Sequence, residues 1–193
     1  FVNGHFVPEL SKNTSGAIWT LKSAIENGAA EGSLAEFTSE SMEPFSALNL
    51  AFVQDGAWIQ VNEASPVAGV IHILHVVQGD ADNAAQIRNR IQLGANAEAE
   101  VVESYLGLSE GSLTNAVTEI DLGPGSGLVH CLWQRGNAGS KIGRVHIRQR
   151  RDSAYDGHSF WLGGQWVRND IAVALSEPGA ACSLNGLYLL DGS

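Results

Sequence analysis

Residues 91–105 read IQLGANAEAEVVESY, and the same plan returns in IDLGPGSGLVHCLWQ at 120–134 and in VALSEPGAACSLNGLY at 173–188. Each stretch gives an apolar strand that ends in Leu, a turn built on Gly, Pro or Asn, a small residue, and a second strand. The first two copies are offset by 29 residues, from Leu93 to Leu122, and the third follows at 53, close to two further periods. A repeat of strands alone at this spacing predicts a β-solenoid.

The predicted fold class is mainly β, a parallel β-helix with short N-terminal helices. One coil cannot bury its own faces, but stacked coils pair every strand edge and enclose a continuous interior. The small residues Ala95, Ser126 and Ala180 are expected at the corners, where neighbouring coils come close. A β-sandwich is the alternative, because it is also built from short alternating strands.

Alternation of apolar and polar residues marks most of the chain after residue 54. The strand at 70–77 has apolar residues on both faces, which indicates burial on two sides. The predicted strands cover 58–61, 70–77, 87–93, 97–101, 116–122, 128–133, 144–148, 159–162, 171–175 and 182–190.

The first part of the chain has a different pattern, and we expect residues 1–53 to form an N-terminal arm and helical cap, with residues 54–193 as the β-helix core. Asn3-Gly4 is a strong turn signal. Helical spacing starts after Ser15, the predicted N-cap, and ends at Gly28. A second short helix is predicted at 43–53, with Pro44 in its first turn.

The net charge of −10 argues against nucleic acid as a partner, because a broad positive surface would be needed. One local stretch is basic and carries six of the eleven cationic residues. We interpret it as a solvated strand face with a turn, or else as a docking patch for an acidic partner surface. Its members are Arg135, Lys141, Arg144, Arg148, Arg150 and Arg151.

The two cysteines, Cys131 and Cys182, are far apart and fit neither a disulfide framework nor a zinc motif. Free thiols predict a reducing compartment, hence the cytoplasm. No signal peptide or membrane-spanning apolar run is present, and no membrane partner is expected. Because the chain starts at Phe1 and stops one turn after an apolar strand, we expect a piece of a longer protein. Its exposed sheet edge predicts self-association of the chain, for which a homodimer is the expected form.

The histidines do not form an obvious ligand set. His72 and His75 are three residues apart in a strand and therefore face opposite ways, as do the adjacent His130 and Cys131. His146 is expected on an exposed face with the neighbouring arginines. Each histidine is interpreted as structural, and Cys131, which shares a face with Val129 and Trp133, as a small core side chain.

Catalytic motifs are weak. No G-x-S-x-G occurs, and the glycine-rich 123–127 lacks the lysine and helix of a phosphate loop. Residues 151–158 collect Asp, Ser, Tyr and His, but the string alone does not place them together. A carbohydrate-active β-helix enzyme, the alternative function, would need paired carboxylates in one groove. The acidic candidates are predicted on different coils without pairing: Glu98, Glu100, Glu103, Glu119 and Asp121.

Five stretches in order along the whole chain resemble the SufB/SufD family of iron–sulfur cluster assembly proteins, in particular its SufD branch. They are FVNGHFVPELS at the start, FSALNLAFVQDGAWIQV at 45–61, IQLGANAEAEVVESY, RDSAYDGHSFWLGG at 151–164, and GAACSLNGLYLLDGS at 179–193. The opening is similar to the FVNG-x-F-x-PELS motif of that branch.

This resemblance implies a right-handed parallel β-helix flanked by helical terminal domains, and a non-enzymatic role in the SUF scaffold. It implies partners in a SufBCD complex: a SufB-like protein that pairs through β-helix strands, and a SufC-like ATPase that docks on a C-terminal helical domain. A transient iron–sulfur cluster is expected at the SufB–SufD interface of the full complex.

The family continues beyond Asp191-Gly192-Ser193 into a Gln-His segment, further coils and helices. The histidine that SufD brings to the interface lies in that part, so no cluster ligand is assigned here. We therefore expect no catalytic, cofactor-binding or metal-binding residue and no resident cofactor in residues 1–193, and no binding of the ATPase by this piece alone.

Overall fold

The computed structural model describes residues 1–12, 15–30, 43–63, 66–79, 83–136 and 139–189. In these ranges the chain is mainly β and forms two sheets that face each other. The helices are a 3₁₀ turn Pro8–Leu10, α1 Leu21–Glu26 and α2 Pro44–Phe52. The strands are β1 Ile18–Thr20, β2 Ala57–Val61, β3 Val70–Val77, β4 Ala84–Leu93, β5 Glu98–Gly107, β6 Leu113–Leu122, β7 Gly127–Arg135, β8 Ser140–Gln149, β9 Ala154–Leu162, β10 Trp166–Leu175 and β11 Ala181–Leu189.

Successive strands alternate between the sheets, so that each coil contributes one strand to each. The six-stranded sheet has the order β1-β2-β4-β6-β8-β10, and the five-stranded sheet has the order β11-β9-β7-β5-β3. Within the described residues, every pair of neighbouring strands is parallel except β1 with β2. The predicted β-solenoid is confirmed, and the β-sandwich alternative is wrong because it requires antiparallel pairing.

The repeat seen in the sequence is the register of the stack. Leu93 pairs with Leu122, as the 29-residue offset predicts. Leu122 then pairs with Gln149, which pairs with Leu175, so the third repeat is indeed two coils further on. Apart from β3 and β11, the strands are longer than predicted, because alternation continues through polar residues that the structure also buries.

One corner of each coil carries a small residue directly before the strand of the five-stranded sheet. Ser126 and Ala180 are at this position, as predicted, but the first coil uses the buried Ala97 and not Ala95, which is exposed. Gly123 explains why the corner needs glycine, since a Cβ there would lie 2.8 Å from the carbonyl oxygen of Leu93. The coils therefore approach too closely for a larger side chain.

The core lies between the two sheets. It consists of every second side chain along each strand, the one that points inward. It includes Ile59, Ile91 and Ile120 from the six-stranded sheet and Val101 and Leu128 from the five-stranded sheet, each at most 2% exposed. Burial of each such aliphatic side chain contributes about 1.5–3 kcal/mol. The stacking of like positions on successive coils thus provides the main stabilisation of the fold.

The N-terminal segment forms a cap on the first coil, but its first helix differs from the expectation. Residues 18–20 are strand β1, and helix α1 begins after Thr20, whose hydroxyl accepts a hydrogen bond from the Ser23 amide at 3.0 Å. The predicted cap Ser15 lies outside the helix, because pairing of β1 with β2 extends the backbone there. Helix α2 and the Asn3-Gly4 turn agree with the sequence.

The last coil, β10 and β11, exposes apolar side chains that on earlier coils are covered by the next one. Leu175 is 56% exposed, and Leu184 and Tyr188 are 51% and 65% exposed.

Among the described residues, no helix is long and apolar enough to span a membrane. The division at residue 53 into a cap and a core stays a prediction.

Candidate functional site

Polar side chains occupy several interior positions where the alternation would place apolar ones. They come from both sheets, meet inside the solenoid, and none of them is more than 4% exposed. We call this set the interior polar cluster: His75 on β3, Asn89 on β4, Glu103 and Tyr105 on β5, Thr118 on β6, His130 on β7, Lys141 on β8 and Tyr155 on β9.

The carboxylate of Glu103 lies at the centre of the interior polar cluster. Its Oε2 accepts hydrogen bonds from the Tyr105 hydroxyl at 2.5 Å, the Thr118 hydroxyl at 2.9 Å and the Asn89 amide at 3.2 Å. Its Oε1 lies 3.1 Å from Nε2 of His130. Both oxygens are therefore bound by the protein, as a buried carboxylate requires.

The network continues outward from Glu103 in two directions. On one side, Nδ1 of His130 lies 2.9 Å from the Tyr155 hydroxyl. On the other side, the Asn89 amide lies 3.3 Å from Nε2 of His75. Side chains from four coils are thus joined, and the cluster links strands that are far apart in sequence.

Two groups of the cluster have pKa values well below their usual range. Burial alone would raise the pKa of Glu103, but the hydrogen bond and charge of His130, together with the Tyr105 hydroxyl, lower it to about 2. Burial lowers the pKa of His75 to about 3, against the opposing attraction of the Glu103 charge. His75 is therefore a neutral ring, stacked between Phe1 at 4.9 Å and Tyr105 at 5.0 Å between ring centroids.

Lys141 brings a second charged group into the interior. Its Nζ lies 4.2 Å from the centre of the Tyr105 ring and 4.8 Å from the Trp161 ring, which is the geometry of a cation–π interaction. Burial lowers the pKa of Lys141 to about 8, and the Glu103 charge opposes that shift. Burial also raises the pKa of the hydroxyls of Tyr105 and Tyr155, so both stay neutral donors.

The chemistry open to this cluster is limited by its burial. Each of its acidic and basic groups is enclosed by the two sheets, and none faces a cleft. A buried network with matched donors and acceptors fixes the register of the strands that carry it. Within the described residues, the interior polar cluster therefore joins successive coils of the stack from the inside.

The outer face of the six-stranded sheet carries a second set of charged contacts. The Arg88 guanidinium donates to the Glu119 carboxylate and, at 3.1 Å, to Oδ1 of Asn49 on helix α2. Further along the same face, Arg148 donates two hydrogen bonds to Asp121, at 3.1 and 2.7 Å. The ion pairs join strands β4, β6 and β8, and the hydrogen bond to Asn49 adds helix α2.

The prediction of a solvated basic face is therefore only partly correct. Arg150 and Arg151 are exposed in a turn, as expected. Lys141, however, faces the interior, and Arg148 and Arg144 are half-buried beside carboxylates. The sequence could not show this, because the carboxylates that pair with these arginines come from other coils.

The expected directions of the histidines are confirmed, and their environments are partly new. His72 is exposed and His75 is buried, on opposite faces of β3. His130 points inward while Cys131 points outward. His146 shares the face of the neighbouring arginines, as predicted, but is half-buried, and burial lowers its pKa to about 4.

The interpretation of Cys131 as a core residue is wrong. It does share a face with Val129 and Trp133, but those side chains are 42% and 44% exposed, so this face is the outside of the five-stranded sheet. The apolar character of the outer face misled the interpretation, since the sequence pattern does not say which face is inside. Burial raises the pKa of both the Cys131 and the Cys182 thiol.

The acidic candidates were expected on different coils, and this expectation is wrong, because they lie on two consecutive strands. Glu98, Glu100 and Glu103 are all on β5, and Glu119 and Asp121 are both on β6. Only Glu98 and Glu100 are exposed, and they stand on the open outer face of a sheet. Nothing in this placement forms the enclosed carboxylate pair of a glycoside hydrolase.

A cleft of about 610 Å³ lies beside the first coil and is lined by residues from the N-terminal segment and from β2. Its described lining includes Trp19, Gln60 and Asn62 but carries no titratable side chain. Among the described residues, no three or more His, Cys, Asp or Glu side chains are placed to hold one metal ion. Neither feature provides acid–base or metal chemistry.

The interior polar cluster was missed by the sequence analysis, although a signal was present. Val101, Glu103 and Tyr105 fall on one face of one strand, and Lys141 falls on the face of Val145. A charged residue on the apolar face of a strand indicates a buried polar side chain. The sequence pattern cannot identify the hydrogen-bond partner, because Glu103 and His130 are on different coils.

Comparisons with known proteins give a matching family model and a similar protein. Residues 75–193 match the family model described as SUF system FeS cluster assembly, SufBD core domain. Over 98% of its length, the chain is 25% identical to the iron–sulfur cluster assembly protein SufD of Escherichia coli (strain K12). The chain spans 44% of the length of that relative.

Proposed function

Because the chain belongs to the SufBD core domain family of the SUF iron–sulfur cluster assembly system, we propose that it is a non-enzymatic structural component of a SUF scaffold. The observation that carries this proposal is the family match, which begins at residue 75 and includes β4 to β11. The sealed interior polar cluster supports it, since its acid and base groups hold the stack together and face no substrate.

The proposed partners follow from the same family. In the full-length protein, we infer that the solenoid pairs with a SufB-like protein and that a SufC-like ATPase binds outside residues 1–193. The likeness to SufD supports partners from the SUF system, and the 193-residue chain spans 44% of that relative's length. A transient iron–sulfur cluster is the cargo of the SufB–SufD interface, and the 193-residue chain holds no resident cofactor. The cytoplasm is the proposed location.

A binding experiment tests this role. Full-length protein, the 193-residue chain, and the SufB-like and SufC-like proteins of the same organism are mixed pairwise and separated by size exclusion with light scattering. We expect the full-length protein to form complexes with both partners and the 193-residue chain to leave the ATPase unbound. Absence of any complex with the full-length protein contradicts the proposal, and tight binding of the ATPase to residues 1–193 contradicts the division.

A second experiment addresses function in the cell. Deletion of the gene segment that encodes residues 1–193 is expected to lower the activity of iron–sulfur enzymes, and an intact copy restores it. Assays of the purified chain on polysaccharides are expected to show no turnover, because the acidic candidates Glu98, Glu100, Glu103, Glu119 and Asp121 form no carboxylate pair in a groove. Sustained hydrolysis would instead favour the carbohydrate-active alternative.

A further inference from the structure

A cysteine and a histidine stand side by side on the outer face of the five-stranded sheet. Cys131 on β7 and His158 on β9 are direct partners in the parallel register. Both are half-buried and alternate with residues that point into the core, so their side chains leave the sheet on the same side. Neighbouring strands are about 4.8 Å apart, which brings a thiol and an imidazole within reach of one ion.

A carboxylate on the same strand orients the histidine. Oδ2 of Asp156 lies 3.3 Å from Nε2 of His158, two residues further along β9. Metal-binding histidines commonly bind a carboxylate through one ring nitrogen, which fixes the ring and leaves the other nitrogen for the ion. Asp156 and His158 belong to the stretch 151–158, whose reactive residue types the sequence alone could not place together.

The chemistry of the two donors decides which ion suits the pair. Val129 and Trp133 flank Cys131 on the same face of β7 and are 42% and 44% exposed, so an ion can reach this face from solvent. Thiolate and imidazole together select borderline-to-soft transition-metal ions, of which Zn²⁺ and Fe²⁺ are the usual examples. Oxygen-preferring ions such as Mg²⁺ and Ca²⁺ do not suit this pair.

We propose that Cys131 and His158 form a two-ligand surface site for a transition-metal ion of the Zn²⁺ and Fe²⁺ class, with Asp156 as the positioning residue. Because the described residues offer no third protein ligand in reach, solvent completes the coordination in the isolated chain. The site depends on strand register and donor chemistry alone, so it stands apart from the proposed scaffold role.

Cobalt spectroscopy and zinc calorimetry on the 193-residue chain test this site. Titration with Co²⁺ under reducing, oxygen-free conditions is expected to give a sulfur-to-cobalt charge-transfer absorption at one ion per chain. Cys131→Ser abolishes that absorption, and His158→Ala weakens Zn²⁺ affinity at least about tenfold. Asp156→Asn keeps the absorption but weakens affinity by about tenfold, as loss of an outer partner does.

Two matched variants separate this pair from other donors. Cys182→Ser removes the second cysteine. Cys182 lies on the last coil, in register with the inward-facing Tyr155 of β9, and its loss should leave the cobalt absorption unchanged. His72→Ala removes an exposed histidine of the same face, whose Nε2 lies 2.8 Å from the Ser104 hydroxyl, and also leaves it unchanged. Circular dichroism confirms that each variant is folded. Metal binding that survives both Cys131→Ser and His158→Ala, or no thiolate signal in the parent chain, overturns the proposal.

Discussion

The Glu103 carboxylate and the His130 imidazole lie 3.1 Å apart inside the solenoid, and neither side chain is exposed to solvent. They come from neighbouring strands of the five-stranded sheet but are not register partners, since Glu103 pairs with Leu132 and His130 with Val101. The contact therefore runs diagonally between coils. It depends on the correct register of β5 and β7.

Removal of the Glu103 side chain should destabilise the fold strongly. Glu103→Ala leaves His130, Thr118 and Tyr105 without their common acceptor, which costs about 3–5 kcal/mol for a buried pair. Urea unfolding measures this as a lower midpoint. The matched control is Glu98→Ala, an exposed site on the same strand, which should stay within about 0.5 kcal/mol. Equal effects of the two substitutions would mean that the network contributes nothing.

Acid should destabilise the protein well before the exposed carboxylates are all protonated. The folded-state pKa of His75, about 3, and of Glu103, about 2, are both below their unfolded values. The unfolded chain therefore binds more protons, and stability is lost as the pH falls from about 6.5 toward 3. Urea midpoints at pH 7, 5 and 4 follow the loss. His75→Phe, which cannot take up a proton, should make the loss between pH 6.5 and 5 smaller, and the remaining loss comes from His146, whose pKa is also lowered. An unchanged curve would contradict the assignment.

Lys141 should produce a rise in stability on the alkaline side. Its folded-state pKa of about 8 is below the unfolded value of 10.5, so its contribution is present at high pH and is lost as the pH falls toward 8. The window is pH 8 to 9, since above it the raised pKa values of the Cys131 and Cys182 thiols, and then of Tyr105 and Tyr155, act in the opposite direction. Thermal melts over this window should show an increase in the parent chain. Lys141→Met should abolish it, and persistence of the increase in that variant would exclude Lys141 as its source.

The corner glycines should differ sharply in their tolerance of a methyl group. A Cβ at Gly123 would lie 2.8 Å from the Leu93 carbonyl oxygen of the neighbouring coil, so Gly123→Ala should cost about 1–3 kcal/mol. Gly127, four residues on, has only the Cγ of Glu98 nearby, at 3.8 Å. Gly127→Ala should therefore be close to neutral. Denaturant midpoints compare the two, and a neutral Gly123→Ala would show that the corner can relax.

The last coil should promote self-association of the 193-residue chain. Strand β11 is the edge of its sheet, and Leu184, Leu187 and Leu189 on it are more than half exposed. We expect light scattering to show a mass that grows with concentration. Leu187→Lys should reduce this growth, whereas Val129→Lys, on the central strand β7 of the same sheet, should not. A constant monomer mass at high concentration would rule out association through this edge.

The repeat in the sequence was sufficient for the fold class, and the reason is the local nature of its signals. Leu93, Leu122 and the turn chemistry after them recur because each coil needs the same corner, and their offset is the register observed. The start of the first helix could not be predicted from the sequence, because pairing of β1 with β2 overrides the helical spacing that starts near Ser15. Cys131 was assigned to the wrong side because both faces of β7 carry apolar residues.

By itself, the sequence determined that this chain winds into stacked coils, since periodicity, corner residues and alternation are all properties of neighbouring residues. Only the tertiary structure decided which polar groups meet. Glu103 with His130, Arg148 with Asp121, and Cys131 beside His158 are separated along the chain by one coil. Such contacts arise from the stacking register, which brings residues 26 to 32 positions apart into adjacent places. The charge state of each buried group then follows from the neighbours it meets there.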